Sequence, residues 1–121
     1  MDFRKQKPIY LQIADNLSEQ VLQGQLMPDG RMPSVRDVAT AMGVNPNTVV
    51  RTFDYLQQED IIYQRRGVGY FVATDARERI LAHQKHEFLE EELPQLRQKI
   101  QLLGITYEQL TQSLLSNAQQ P

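Results

Sequence analysis

Apolar residues near the start of the chain recur with the period of a helix. Tyr10, Ile13, Ala14, Leu17 and Val21 fall at i, i+3, i+4, i+7 and i+11, which gives one apolar face on an otherwise polar segment. Pro8 suits the opening turn, where its missing N–H costs nothing, and Gly24 ends the run. Pro28-Asp29-Gly30 then reads as a turn. A shorter stripe of Val35, Val38, Ala39 and Met42 follows, opened by Ser34 as N-cap with Asp37 in the capping-box position. Gly43 stops it, Val44 packs inward, and Asn45-Pro46 restarts the chain as N-cap and first helical residue. Val49, Phe53 and Leu56 supply the third apolar face. Two short helices about a tight glycine turn predict a helix-turn-helix.

The period then changes. Ile61-Ile62-Tyr63-Gln64 and Tyr70-Phe71-Val72 are rich in β-branched and aromatic residues and flank Arg65-Arg66-Gly67-Val68-Gly69, which predicts a β-hairpin with a basic, glycine-bearing tip. Three helices and such a hairpin make a winged helix-turn-helix, placed at residues 1–74. From Asp75 the helical period returns, with Ile80, Leu81, Phe88, Leu89, Leu93, Leu96, Ile100 and Leu103 on one apolar face. Pro94 kinks or restarts this helix, Gly104 ends it, and Thr106 opens a last helix through Tyr107, Leu110, Leu114 and Leu115, fraying from Ser116 onward. The fold expected is α+β and mostly helical: the winged helix-turn-helix followed by a short C-terminal helical dimerisation tail over residues 75–121. The tail cannot hide its own apolar face, so Phe88, Leu89, Leu93, Leu96, Ile100 and Leu103 are expected to join two copies in a homodimer.

Composition narrows the chemistry. A chain of 121 residues accommodates one domain and an appendage. No apolar run approaches the ~20 residues of a membrane span, so no membrane partner is expected. Residues 1–10 hold no apolar stretch of the kind a secretory signal needs, which points to the cytoplasm. The absence of cysteine excludes disulfides, thiolate zinc sites, iron–sulfur clusters and cysteine nucleophiles. A net charge of −2 lacks the strongly basic balance usual for nucleic-acid binders, so any such role must rest on local charge.

Local charge is present on three elements. Asn47 and Arg51 lie four apart on the third helix, with Thr48 beside them, opposite the Val49/Phe53/Leu56 face. In a helix-turn-helix that face enters the major groove, where arginine suits guanine, asparagine suits adenine, and threonine suits a base edge or a thymine methyl. Arg36 follows the Ser34 cap, where a side chain and free helix N–H groups can meet phosphate. Arg65 and Arg66 beside Gly67 place two cations at the wing, where glycine permits close approach. Taken singly, each is also what an ordinary solvated surface offers; together they fall where this fold would form one surface. Lys5 and Lys7 extend it or belong to a charged terminus. His83 and His86, with Glu87 and Glu90, are read as a solvated helix face and not a metal site, and Glu90-Glu91-Glu92 point in different directions without a pocket. No cofactor and no catalytic residue is expected, so an enzyme is the weakest reading.

The segment from Pro8 to Ala73 resembles the DNA-binding domain of the GntR family of bacterial transcription regulators. Four motifs carry the resemblance: Pro8-Ile9-Tyr10-Leu11-Gln12-Ile13; Gly30-Arg31-Met32-Pro33-Ser34-Val35-Arg36-Asp37-Val38-Ala39; Gly43-Val44-Asn45-Pro46-Asn47-Thr48-Val49; and Arg65-Arg66-Gly67-Val68-Gly69-Tyr70-Phe71-Val72. The short tail, with Leu93-Pro94 and Leu103-Gly104-Ile105-Thr106, is similar to the YtrA-like branch, whose C-terminal helices mainly pair two subunits. The resemblance implies a regulator that binds double-stranded DNA, as a repressor at an inverted-repeat operator, and suggests control of a transporter operon. It places DNA contacts at Arg36, Asn47, Thr48, Arg51, Arg66 and Gly67, within a full candidate set that adds Ser34, Asn45 and Arg65. Long-tailed relatives often carry arginines where this chain has Pro46 and Val50, so guanine contacts made there do not transfer. The tail either holds a small-molecule effector between subunits or answers to none. The rival reading is a winged helix that binds protein through the Ile61–Val72 hairpin and the apolar tail, with no salt-sensitive affinity for duplex DNA.

Overall fold

The computed structural model describes residues 7–118, and the chain divides into two compact units after Gln84. The first unit opens with α1 (Ile9–Leu22), α2 (Val35–Met42) and α3 (Pro46–Gln58). Each helix starts where its cap chemistry dictates. Pro8 is the N-cap of α1, Ser34 Oγ accepts from the Asp37 amide at 3.0 Å, and Asn45 Oδ1 accepts from the Asn47 amide at 2.8 Å. Between α2 and α3, Gly43 takes a left-handed conformation, φ 66°, and Val44 packs against the core from the turn.

Strands β1 (Ile62–Arg65) and β2 (Gly69–Val72) pair antiparallel, with Ile62 opposite Val72 and Arg65 opposite Gly69. A third, very short strip of chain lies along β2. The Asp29 amide donates to Val72 O at 2.8 Å, the Val72 amide to Gly30 O at 2.9 Å, and the Met32 amide to Tyr70 O at 2.7 Å. This strip makes β2 an interior strand and pins the wing to the turn before α2. Both Asp29 carboxylate oxygens accept from Thr74 Oγ1, and Oδ1 also from the Tyr63 hydroxyl, which ties down the base of the hairpin.

The core is one cluster. Ile13, Ala14, Leu17 and Val21 of α1 meet Val38 and Ala39 of α2, Val49, Phe53 and Leu56 of α3, and Ile61, Ile62 and Val72 of the hairpin. Phe53 is fully buried and sets its ring edge-on to Tyr70, 4.8 Å between centroids, which couples α3 to the wing sheet. Thr52, also fully buried, satisfies its hydroxyl on Tyr10 O at 2.7 Å and so fastens α3 to α1.

The domain boundary differs from the expected 74/75. The helix after the wing, α4 (Ala76–Glu87), contributes Ala76 and Ile80 to this same core, so the first compact unit runs on to Gln84. Ile80 therefore belongs to the winged helix and not to the tail face. Periodicity alone could not separate them, because both faces lie on one continuous helical pattern.

The second unit begins at Lys85. A π-helical segment, Phe88–Glu92, leads directly into α5 (Leu93–Leu102): Glu92 and Leu93 both keep helical backbone angles, and Pro94 in the first turn of α5 brings no N–H to the ladder, next to the point where the helix widens. Thr106 and Gln109 cap α6 (Tyr107–Ala118) reciprocally: Thr106 Oγ1 accepts from the Gln109 amide at 3.1 Å, and Gln109 Oε1 accepts from the Thr106 amide at 2.9 Å. The last helix runs to Ala118, and residues 119–121, the rest of the segment expected to fray, lie outside the described residues. None of the described helices is long and apolar enough to cross a membrane.

Candidate nucleic-acid interface

The expected site residues can be sorted by what their side chains already do. Within residues 7–84, Arg31 donates to Val68 O at 2.7 Å, Arg77 to Leu22 O at 2.7 Å, and Arg79 pairs with Asp75 at 2.8 Å. Lys7 pairs with Asp15 at 2.7 Å. These cations are engaged within the fold. Arg36, Arg51, Arg65 and Arg66 are exposed and make no hydrogen bond or ion pair to another described residue. Among the described residues of this unit, the arginines whose N–H groups are left unengaged are the four that the sequence singles out. Lys5 lies outside the described residues.

α3 presents Asn47, Thr48 and Arg51 away from its buried Val49/Phe53/Leu56 face, and its first turn is set by the Asn45 cap. Asn47, Thr48 and Arg51 share an open groove with Pro8, Ile9 and Tyr10 at the start of α1. Val50, beside Arg51, is 43 % exposed on α3. Arg36 stands in the first turn of α2, and the Ser34 hydroxyl beside it keeps its proton to donate outward while its oxygen caps the helix.

At the wing, one placement changes. Arg65 is the last residue of β1 and rests its guanidinium over the Phe71 ring at 4.9 Å, so only Arg66, Gly67 and Val68 form the tip. Gly67 has φ 77° and Gly69 φ 143°, conformations that cost a side-chain-bearing residue strain. Sequence reasoning missed Arg31 and Asp29. Arg31 crosses the hairpin to hold Val68 O, and a Cβ at Gly69 would stand 3.3 Å from Arg31 Nε. Gly69→Ala is therefore expected to lower stability by about 1–3 kcal/mol, the range for forcing such a backbone conformation, read as a fall in the thermal midpoint. An unchanged midpoint would contradict it.

His83 is half-buried rather than solvated: its Nε2 lies 3.1 Å from the Tyr55 hydroxyl. Among the described residues, no group of three or more histidines, aspartates or glutamates is placed to hold a metal ion. In the second unit, Phe88, Leu89, Leu96 and Leu103 are exposed and Leu93 and Ile100 half-buried, so among the described residues much of the face expected to pair subunits stands open.

A helix-turn-helix with a braced wing and unengaged arginines on all three of its outward elements defines the class: winged-helix DNA-binding transcription regulators. Residues 9–72 match the family described as bacterial regulatory proteins, gntR family, and the chain belongs to that family, in its short-tailed YtrA-like branch. It is similar to the HTH-type transcriptional repressor YtrA of Bacillus subtilis, at 36% identity over 110 residues, covering 91% of this chain and 84% of that one. A GntR-family transcriptional regulator from Bacteroides thetaiotaomicron shares the fold with a TM-score of 0.80 at 39% identity, covering 93% of this chain and 97% of that chain. The DNA-binding domain of AraR, in complex with operator ORX1, matches 55% of this chain and 82% of its own length with a TM-score of 0.53 and 28% identity. The chain is a DNA-binding transcription regulator and not an enzyme.

Proposed function

We propose that this regulator acts in the cytoplasm as a homodimeric repressor. Each subunit lays α3 in the major groove of one half of an inverted-repeat operator, with Asn47 and Thr48 at base edges and Arg51 beside them. Arg36, with the Ser34 hydroxyl, meets phosphate from the start of α2, while Arg65, Arg66 and Gly67 serve the flanking groove or backbone from the wing. Asn45 takes a supporting part by fixing the first turn of α3. The two copies join through the Phe88/Leu89/Leu93/Leu96/Ile100/Leu103 face, which sets recognition helices about one helical turn, ~34 Å, apart. The similarity to YtrA, named a transcriptional repressor, favours repression; the YtrA-like branch favours a transporter operon as the target.

The observation that carries this reading is the split among the arginines of the winged helix. Guanidinium groups with internal acceptors lie at structural joints, whereas Arg36, Arg51, Arg65 and Arg66 keep their N–H groups for an outside acceptor. Phosphate is the acceptor that suits them, and it explains how a chain with net charge −2 binds a polyanion.

Titration of a labelled duplex at several salt concentrations tests it. Arg36→Ala and Arg66→Ala are each expected to weaken binding and to reduce the slope of log affinity against log salt by about 1. Unchanged titrations for both variants would reject this surface. Absence of any salt-sensitive affinity in the unmodified protein would move the hairpin and tail to the protein-interaction reading. Selection of bound duplexes from a random library is expected to return an inverted repeat.

A further inference from the structure

The recognition helix α3 contains a single basic residue, Arg51. Its guanidinium lies over the ring of Tyr10, 4.0 Å from the centroid. Tyr10 is itself held from two sides. Its ring meets Tyr55 edge-on at 6.4 Å, Tyr55 is bonded onward to His83, and its carbonyl accepts from the buried Thr52 hydroxyl. A ring anchored in this way gives Arg51 a fixed seat on α1 rather than free reach along its own helix.

The stack engages the face of the guanidinium and leaves its N–H edge unpaired. A planar fork seated on an aromatic face offers that edge to a planar or tetrahedral oxyanion, the geometry of bidentate phosphate recognition. Arg51 also stands one turn behind Asn47, away from the end of α3 that goes deepest into the groove, and its seat draws it sideways to the start of α1.

Resting on the DNA-binding reading above, we infer that Tyr10 is a positioning residue that fixes Arg51 as a backbone-phosphate clamp, so that α3 reads bases through the neutral side chains Asn47 and Thr48. Arg51 then contributes affinity that is blind to sequence, because phosphates are alike at every base pair. The aromatic seat pre-orders a long side chain that would otherwise lose its rotamer freedom on binding.

Four variants titrated against a library-selected duplex and a scrambled one, each over a series of salt concentrations, test the inference. Arg51→Ala is expected to lose affinity about tenfold for both duplexes, with the salt slope reduced by about 1 and the ratio between duplexes unchanged. Tyr10→Leu is expected to reproduce much of that loss and the reduced slope, and to add nothing in the Arg51→Ala background. Tyr10→Phe, which keeps the ring, should restore both affinity and slope. A changed ratio in Arg51→Ala would make Arg51 a base reader and overturn the inference; so would losses that simply add in the double variant. Arg51 is exposed, so Arg51→Ala decides between reader and clamp even if Tyr10→Leu fails a thermal-unfolding check. Absence of salt-sensitive binding in the unmodified protein would overturn the DNA-binding reading and this inference with it, whereas intact binding with additive losses would overturn the inference alone.

Discussion

Replacing Phe53 by alanine is expected to destabilise the protein by about 3–5 kcal/mol, enough to consume a large part of the ~5–15 kcal/mol that holds a domain of this size together. Phe53 is the largest of the fully buried side chains and touches the wing from the recognition helix through its edge-on contact with Tyr70. Truncation leaves a cavity between α3 and β2 that the surrounding backbone cannot close, since β2 is bonded on both edges and α3 is fastened to α1 through Thr52. Chemical denaturation should show the midpoint moving to much lower denaturant with the slope unchanged. A loss below about 1 kcal/mol would mean that the site collapses around the smaller side chain, contrary to the rigidity described here. DNA binding at a temperature where the variant remains folded should also weaken, because the same contact sets the angle between recognition helix and wing.

The second large effect concerns assembly. Leu96→Glu is expected to split the proposed dimer while leaving the winged helix folded, because Leu96 is 46 % exposed and contributes nothing to the core. Two-fold symmetry places the residue in the interface twice. At about 2 kcal/mol for burying each leucine, the loss approaches 4 kcal/mol per dimer, and about a thousandfold in the dimer dissociation constant, before the cost of desolvating the new carboxylates. Sedimentation at micromolar concentration should give a dimeric mass for the unmodified chain and a monomeric one for the variant, with identical thermal signatures for the winged helix. A monomeric mass for the unmodified chain would reject the tail as the dimerisation element. The dissociated variant should retain weak, salt-sensitive affinity for any duplex and lose the added affinity of gripping two half-sites at once.

The parts of this fold that were legible in the sequence are those written in local chemistry. Ser34 and Asp37, Asn45 and Pro46, and Thr106 declare helix starts because a side-chain oxygen must satisfy amides that the helix leaves open. The switch from helical spacing to β-branched runs announces the hairpin. What escaped is what depends on distant partners. The strip from Asp29 to Met32 pairs with β2 through a few bonds and is too short to show alternation, so Arg31 carried no signal beyond standing in a matched motif, and Asp29 none beyond its place in a turn. The extension of the first compact unit past residue 74 was not legible, because Ala76 and Ile80 serve its core and Phe88 onward another face, on a continuous helical pattern. For the candidate site, the sequence located the four unengaged arginines. It could not show that Arg51 rests on Tyr10 or Arg65 on Phe71, contacts that join residues 41 and 6 positions apart, respectively.

The π-helical turn at Phe88–Glu92 gives the tail a property that no single side chain supplies. Such a turn accommodates one residue more than the regular helix around it, so the segment tolerates the gain or loss of a residue without ceasing to be helical. What changes is azimuth: each residue added or removed turns everything downstream by roughly 100°, the angular step of a helix with 3.6 residues per turn. Leu96 and Ile100 would then look in another direction with the same amino acids in place. Within the tail itself, a residue gained or lost in this turn is thus expected to take Phe88 and Leu89 off the face they share with Leu96 and Ile100, so the length of the turn sets the shape of the proposed pairing surface.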